Sequence, residues 1–470
     1  MSPEMITTRP VPGHPRPYEF PRTERTTLAN GLRVAVVPMP GRGLISTSLV
    51  IRTGAADESP DLAGSTVLAA RALTEGTEVR DAIALTEAAE RLGASIHAEA
   101  GWDATSAGLD VPASRLAPAL DLLAEVVRRP AFPEGEVDRL RDERLADLLQ
   151  ARADPRRRAD EAFVAAIYAP SSPYGRPSGG TDATVERLTA AELRVVRDRG
   201  YSPDRAAIVV AGDVDAAEVM RLIESLFGDW RIPAGLRPAA PIDDTSAVDR
   251  RFIRVVHRHD SVQTEIRVGH RGLQRRHPDF HAVSVMSAIL GGLFNSRLNM
   301  NLREAKGYTY GAGAGFDMRR ARGPFNARAA VNTEVTVPAL QEILAELERI
   351  REAPVTEAEL AAATDYLVGV FPLRFETPGP VAGSLAGLFI QDLPDDELAG
   401  YRDAIDAVTA EDVLRVAQAH LHPDASAIVL VGDSDTFTAD LEAAGIAPIE
   451  AAEDDEGDED GDDTEAGAPD

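Results

Sequence analysis

The sequence of 470 residues contains no cysteine, which excludes disulfides, thiolate metal ligands and cysteine nucleophiles. Long apolar runs are also missing, and no stretch approaches the ~18 uninterrupted apolar residues that a membrane-spanning helix requires. Residues 1–25 are rich in proline and arginine and lack the apolar core of a secretory signal peptide. The sequence therefore predicts a soluble, cytoplasmic protein with no membrane partner.

Positive charge is scarce, with 49 Lys and Arg against 77 Asp and Glu and a formal net charge of −28. Residues 450–470 alone hold twelve acidic residues and no basic one. Such a segment cannot bury enough apolar surface to offset the entropy lost on ordering, so we predict a disordered acidic tail at residues 447–470. An acidic protein repels phosphate backbones, which argues against a nucleic-acid partner.

An internal repeat predicts two similar domains. Residues 201–215 and 421–435 share eight identical positions without a gap, at an offset of 220. The same offset relates Thr189-Ala190 to Thr409-Ala410. We therefore place the domains at residues 25–231 and 250–446. An N-terminal extension covers residues 1–24, and residues 232–249, rich in proline, alanine and aspartate, form the linker.

The repeated unit is predicted to mix strands and helices. Apolar runs at residues 32–38, 47–52 and 207–211 are typical of strands, the first of them after the turn-forming pair Asn30-Gly31. Apolar residues recur at helical spacing over residues 116–127 and 137–149. Strands followed by helices in each half predict an α+β fold.

The segment Leu62–Thr77 reads L-A-G-S-T-V-L-A-A-R-A-L-T-E-G-T. A zinc helix of the form G-x-A-H-x-x-E-H-x-x-x-x-G-T puts two imidazoles on one helix face, with a glutamate between them as general base. When the two are aligned on G-T, Val67 and Arg71 stand at the histidine positions and Ala70 at the base position. Valine and alanine carry no ligand atom, and the guanidinium of Arg71 is a permanent cation that repels Zn²⁺.

A second segment, Ile289–Tyr310, reads I-L-G-G-L-F-N-S-R-L-N-M-N-L-R-E-A-K-G-Y-T-Y. It follows the pattern L-G-G-x-x-x-S-R-L-x-x-x-L-R-E-x-x-G-x-x-Y. Gly307 is predicted to end the helix that bears Arg303, and residues 308–310 to begin a strand. With the degenerate zinc helix, this segment makes the chain resemble the pitrilysin/insulinase/mitochondrial processing peptidase family over roughly residues 25–445.

The resemblance implies a fold and a set of site residues. The fold is α+β, with two homologous domains, each a mixed, mainly antiparallel sheet packed with helices, forming one half of a clam-shell. The third zinc ligand of the family falls at Asp147, which we interpret as a solvated helix-face acid because one carboxylate is not a zinc site. Arg303 and Tyr310 match the family's catalytic Arg/Tyr pair, which reaches across a chamber towards substrate bound at the zinc of the other half.

The resemblance therefore implies the non-zinc-binding subunit of a heterodimeric zinc metallopeptidase, inactive alone. Its partners would be a homologous subunit that bears the zinc motif and a peptide substrate. Zinc is expected in that partner, and no metal or other cofactor in this chain. Two alternatives stay open: a structural or assembly subunit, like the core proteins of respiratory complexes, and a peptide-binding protein without catalysis. Retention of Arg303 and Tyr310 favours the peptidase subunit.

The histidines offer no evident replacement for the missing ligands. His277 and His281 have i, i+4 spacing at a predicted helix start, but no carboxylate base follows in the required pattern. Pro278 and Asp279 are typical of an ordinary helix N-terminus. His257 and His259 alternate on a predicted strand, so we interpret all four histidines as structural.

Overall fold

The computed structural model describes residue 13 and residues 16–232, 241–450 and 453–454. In chain order the strands are β1 (Glu24–Thr27), β2 (Arg33–Pro38), β3 (Leu44–Ile51), β4 (Ser95–Ala100), β5 (Thr105–Pro112), β6 (Ala206–Gly212), β7 (Phe252–His257), β8 (Gln263–Arg271), β9 (Ala312–Phe316), β10 (Pro324–Asn332), β11 (Ala427–Gly432) and β12 (Glu453–Asp454).

The helices are α1 (Ser65–Ala72), α2 (Ala82–Leu92), α3 (Leu116–Arg128), α4 (Glu134–Ala153), α5 (Pro155–Ile167), α6 (Asp182–Val185), α7 (Ala190–Gly200), α8 (Ala216–Phe227), α9 (Phe280–Ser287), α10 (Thr336–Arg349), α11 (Glu357–Val370), α12 (Pro378–Gln391), α13 (Glu397–Asp406), α14 (Ala410–His420) and α15 (Ser434–Ala444). Two π-helical segments, Ala288–Gly292 and Asn299–Ala305, follow α9.

Each half of the chain builds one six-stranded sheet. The first has the order β1-β2-β6-β3-β5-β4 and the second β12-β7-β11-β8-β10-β9. The pairs β2–β6, β7–β11 and β7–β12 are parallel, and the other neighbours are antiparallel. The predicted α+β fold, with two mixed, mainly antiparallel sheets packed with helices as in one half of a clam-shell, is confirmed.

The sequence repeat corresponds to a structural repeat. Its two copies contain β6 and β11, which take the third place in their respective sheets. The helices that precede them, α7 and α14, start in the same way. Thr189 and Thr409 each form a capping box with an acid three residues later, Glu192 in α7 and Asp412 in α14.

The two halves exchange a helix. α12, from the second half, packs on β3 and β6, whereas α5, from the first half, packs on β8 and β11. Phe389 thus shares a core with Val209 of β6, and Phe163 shares one with Val429 of β11. Because helices cover both faces of these central strands, β6 and β11 are buried along their whole length and read as continuous apolar runs.

The segments outside the predicted domains also contact the fold where they are described. Phe20 of the extension packs on Phe375, with the ring centroids 5.0 Å apart. In the predicted linker, Ala247 N–H donates to the backbone oxygen of Ile167 (3.0 Å), while residues 233–240 lie outside the described residues. Glu450 N–H donates to Ile253 O (2.8 Å) and β12 pairs with β7, so the second sheet extends past residue 446. The rest of the predicted disordered tail lies outside the described residues.

Among the described residues, no helix combines the length and apolar character needed to cross a membrane.

Replacing Phe163 with alanine is expected to lower the free energy of unfolding by about 3–4 kcal/mol, because the ring is buried where α5 crosses the second sheet. Urea denaturation measures this loss. Ile83→Ala is the matched control: Ile83 on α2 is 73% exposed, and its truncation should change stability by no more than about 0.5 kcal/mol. Equal effects of the two substitutions would contradict the shared core.

Candidate active site

Helix α1, which stands where the zinc motif would be, is held at its start by Glu58. The Glu58 carboxylate accepts hydrogen bonds from the backbone N–H groups of Gly64 (3.0 Å) and Thr66 (2.6 Å). Burial raises the pKa of the Glu58 carboxyl, and these hydrogen bonds oppose the rise. Gly64 has a φ of +94°, and a Cβ atom there would lie 2.7 Å from Gly179 O, so only glycine fits this close approach.

The three positions of the degenerate motif face different surroundings. Ala70 is fully buried and Val67 is partly buried. Both side chains are hydrocarbon, so neither presents a polar atom to the helix surface. Arg71 extends to α4, where its Nη2 lies 3.0 Å from a carboxylate oxygen of Glu143. Arg139 also contacts Glu143, at 2.6 Å. The Arg71–Glu143 pair therefore joins α1 to α4 where a zinc site would need imidazoles, and Arg139 binds the same carboxylate from within α4.

Asp147 lies one helical turn beyond Glu143 on α4. Its carboxylate is bound by Arg144 and by Arg157, whose Nη1 lies 3.1 Å away. Burial alone would raise the pKa of the Asp147 carboxyl, but the hydrogen bonds and charges of Arg157 and Arg144 outweigh it and hold the pKa below its ordinary value. This acid is ion-paired rather than simply solvated, and two cations beside it disfavour a metal ion.

The second candidate segment ends as the sequence predicts. Arg303 lies in the π-helical segment Asn299–Ala305. Gly307 follows with a φ of +66°; its N–H donates to Arg303 O (3.2 Å), and Tyr308 N–H donates to Leu302 O (2.8 Å). This pair of bonds is the usual end of a helix at a left-handed glycine. The Arg303 guanidinium lies over the ring of Phe294, 4.2 Å from its centroid.

The predicted strand start at residues 308–310 is wrong, because β9 begins only at Ala312. The hydroxyl of Thr309 explains the difference: it accepts from Gly311 N–H (3.1 Å) and donates to Ala330 O (2.7 Å), which stabilises a turn before the strand. Tyr310 lies in this turn with 95% of its surface exposed. Its ring therefore contributes nothing to the core of this chain.

The other residues of the motif serve the fold. Arg297 forms two hydrogen bonds to the Glu359 carboxylate, at 2.7 and 3.1 Å, and these lower the pKa of Glu359 to about 2. Leu298 and Leu302 are fully buried. The Asn299 side chain accepts from Ala312 N–H at 2.9 Å and so ties the segment to β9. The motif thus divides into an anchored part and the pair Arg303 and Tyr310. The Arg303 side chain is one-third exposed and its Nε lies 3.4 Å from a Glu304 oxygen, whereas Tyr310 is almost fully exposed.

The structure keeps the two candidate segments apart. α1 packs on α4, α7, β4 and β5 of the first half, whereas the segment Asn299–Ala305 packs on α10 and β9 of the second. Two residues that position these segments were missed by the sequence analysis. Glu58 could have been found as an acid shortly before a helix start, whereas nothing in the sequence marks Phe294 as the neighbour of Arg303.

The histidines of the i, i+4 pair have different neighbours. His281 lies beside Tyr401, with ring centroids 5.7 Å apart, whereas His277 lies beside His420 at 4.9 Å. His257 ends β7 and His259 lies beyond it, so the predicted strand does not include both residues.

Comparison with known proteins agrees with this architecture. Residues 33–181 match the family described as Insulinase (Peptidase family M16), and residues 187–367 match the one described as Peptidase M16 inactive domain. An uncharacterized zinc protease of Mycobacterium bovis is 30% identical over 368 residues, covering 78% of this chain and 83% of that protein. One from Streptomyces coelicolor is 27% identical over 406 residues, covering 84% and 86%.

A solved structure supports the same assignment. A peptidase M16 inactive domain from Pseudomonas fluorescens superposes with a TM-score of 0.81 at 26% identity, over 87% of this chain and 98% of that one. The chain therefore belongs to the insulinase family of peptidases, family M16, as its sequence resemblance predicted.

Replacing Glu359 with glutamine is expected to lower the free energy of unfolding by about 1.5 kcal/mol at pH 7, because a charge-assisted pair with Arg297 is lost. The folded-state pKa of about 2 lies below the ordinary 4.5, so the contribution is present above pH 4.5 and is lost as the pH falls towards 2. Urea denaturation at pH 7 and pH 3 tests this. Glu357→Gln, an exposed acid on the same turn, is the control, and an equal loss at both pH values would contradict the account.

Proposed function

We propose that this chain is the non-zinc-binding subunit of a heterodimeric zinc metallopeptidase and supplies Arg303 and Tyr310 to its partner's active site. The observation that carries the proposal is the division within one motif. Core contacts, hydrogen bonds or ion pairs fix Arg297, Leu298, Asn299 and Leu302, whereas Tyr310 stands 95% exposed on the turn that follows the helical segment. A residue that packs against nothing in its own chain is available to another molecule.

The family's zinc position does not fit the metal in this chain. Val67 and Ala70 offer no donor atom, Arg71 is a cation bound to Glu143, and Asp147 is held by two arginines. A catalytic zinc needs three protein ligands and an open position. We therefore assign no step of the hydrolysis to a metal ion at α1, and the partner, a homologous chain with an intact H-x-x-E-H helix, would supply the zinc.

The exposed pair suits the chemistry of peptide hydrolysis. Attack on the scissile carbonyl builds negative charge on its oxygen. A hydrogen bond donated by the Tyr310 hydroxyl would stabilise that charge more in the transition state than in the ground state. The Arg303 guanidinium has one face against Phe294, and its Nε lies 3.4 Å from a carboxylate oxygen of Glu304. Its terminal N–H groups would donate to a peptide carbonyl.

The sheet edges offer a way to hold an extended peptide. β4 and β9 each end their sheets, so in the described part of the chain each has one side without a neighbouring strand. β4 packs against α1, and β9 follows directly after the turn that carries Tyr310. A peptide that adds to such an edge is bound through its main chain, which selects for extended shape more than for sequence. The proposed subunit would thus bind peptides, in the cytoplasmic location expected from the sequence.

The isolated chain is expected to cleave no peptide, with or without added Zn²⁺, because it lacks a base at position 70 and nitrogen ligands at positions 67 and 71. A mixture of quenched fluorescent peptides measures this. Cleavage by the pure chain that a chelator abolishes and Zn²⁺ restores would contradict the proposal.

In the complex with the zinc-bearing partner, Tyr310→Phe is expected to lower kcat/KM by about 100-fold, the cost of removing one hydrogen-bond donor to the developing oxyanion. The partner can be sought as a chain of similar length with an intact H-x-x-E-H, encoded in a neighbouring gene. Tyr366→Phe, a 52% exposed tyrosine on α11, is the matched control and should leave the rate unchanged. A complex that assembles and retains full activity with Tyr310→Phe would instead support a structural subunit.

A further inference from the structure

His277, Asp279 and His420 form a cluster between the start of α9 and the end of α14. Asp279 stands at the N-cap position of α9, yet its carboxylate makes no cap hydrogen bond. Its Oδ2 accepts instead from His420 Nε2 (2.7 Å), and its Oδ1 accepts from Arg415 Nη1 (2.9 Å). An aspartate at this position ordinarily serves its own helix. Here it is turned towards two side chains of α14.

The spacing of the three groups is close to that of a coordination sphere. Asp279 Oδ2 lies 3.8 Å from His277 Nδ1 and 2.7 Å from His420 Nε2. A tetrahedral zinc site with bonds of about 2.0–2.1 Å separates its ligand atoms by roughly 3.3–3.4 Å, so small side-chain shifts would bring both distances to that value. Coordination would replace the hydrogen bond between His420 and Asp279. His277 Nδ1 accepts a 3.2 Å hydrogen bond from Asp279 N–H, which coordination would replace.

The ligand types favour an imidazole-seeking cation. Among the described residues, two other groups bring a histidine near acids, His257 with Asp433 and Asp435 and His259 with Asp260 and Asp433, but each has one imidazole. The cluster of His277, Asp279 and His420 has two imidazoles and a carboxylate, the set that suits Zn²⁺ better than Ca²⁺ or Mg²⁺. All three side chains are partly buried, so solvent can reach them while neighbours restrict their motion.

The surroundings both orient and weaken such a site. Arg415 holds the Asp279 oxygen that faces away from His420, which is how outer residues commonly orient a ligating carboxylate. Its positive charge opposes a metal cation, but Asp412 lies 3.6 Å from the same guanidinium and offsets part of that charge. We therefore expect an affinity below that of a dedicated structural zinc site.

We propose that His277, Asp279 and His420 bind one Zn²⁺ ion, with water in the fourth position, and that the ion braces α9 against α14. This site lies in the second half of the chain, away from α1. The expectation that this chain binds no metal therefore applies only to the family's zinc position. It does not depend on the peptidase proposal, since it needs neither partner nor substrate.

The test is calorimetric titration of the chelator-treated full chain with ZnCl₂. The wild type is expected to bind one equivalent and to melt at a higher temperature with zinc. His420→Ala and His277→Gln should each weaken binding by more than about 100-fold, because loss of a ligand costs more affinity than the 10–100-fold lost with an outer hydrogen-bond partner. Circular dichroism of the metal-free variants shows whether they fold. His259→Ala, a 78% exposed histidine, is the matched control and should bind as the wild type does.

Two results would overturn the inference. Failure of the wild type to bind zinc would leave the cluster as an ion-paired contact between two helices. Zinc binding that survives in both folded ligand variants would place the metal elsewhere. Asp147→Asn separates this inference from the proposed function, because Asp147 is the family ligand position that still carries a donor atom. Zinc lost in that variant but kept in His420→Ala would put the metal at α1 and contradict both.

Discussion

The structure depends on the exchange of α5 and α12 between its halves. The two helices complete the cores of the opposite sheets, and the residues at these contacts, such as Phe163 and Phe389, are buried. Without the helix contributed by the other half, one face of the central strands in each sheet would be uncovered. The two copies of the repeat therefore fold as one unit and not as two independent domains. The two candidate site segments lie in different halves of that unit.

Helix α1 is held in place by contacts within the first half of the chain. In this chain α1 does not need a metal to stay in place, because Glu58 holds its first turn and Leu68, Ala69 and Ala72 pack in the core. The Arg71–Glu143 pair adds little, since both side chains are more than a third exposed and such pairs contribute about 0–1 kcal/mol. The fold thus does not require imidazole or glutamate side chains at positions 67, 70 and 71.

Much of the fold was predictable because its signals are local or repeated. Apolar runs marked β2 and β6, and the offset of 220 predicted that β6 and β11 take equivalent places. The exchange of α5 and α12 was not predictable, since a helix with an apolar face does not say which sheet it covers. The strand predicted at Tyr308–Tyr310 failed because the Thr309 hydroxyl competes for the backbone groups that a strand would pair.

In the candidate site, too, local features were predictable from the sequence and long-range contacts were not. Gly307 could be predicted to end the helix because a left-handed residue there is required by local geometry. The contacts of Arg71 with Glu143, of Asp147 with Arg157 and of Asp279 with His420 could not be predicted, because the partners come from other helices. Aspartate at a helix start predicts a cap, but in α9 the charge of Arg415 and the imidazole of His420 offer stronger partners than a neutral backbone N–H. Local rules fail here where a long-range, charged contact outweighs them.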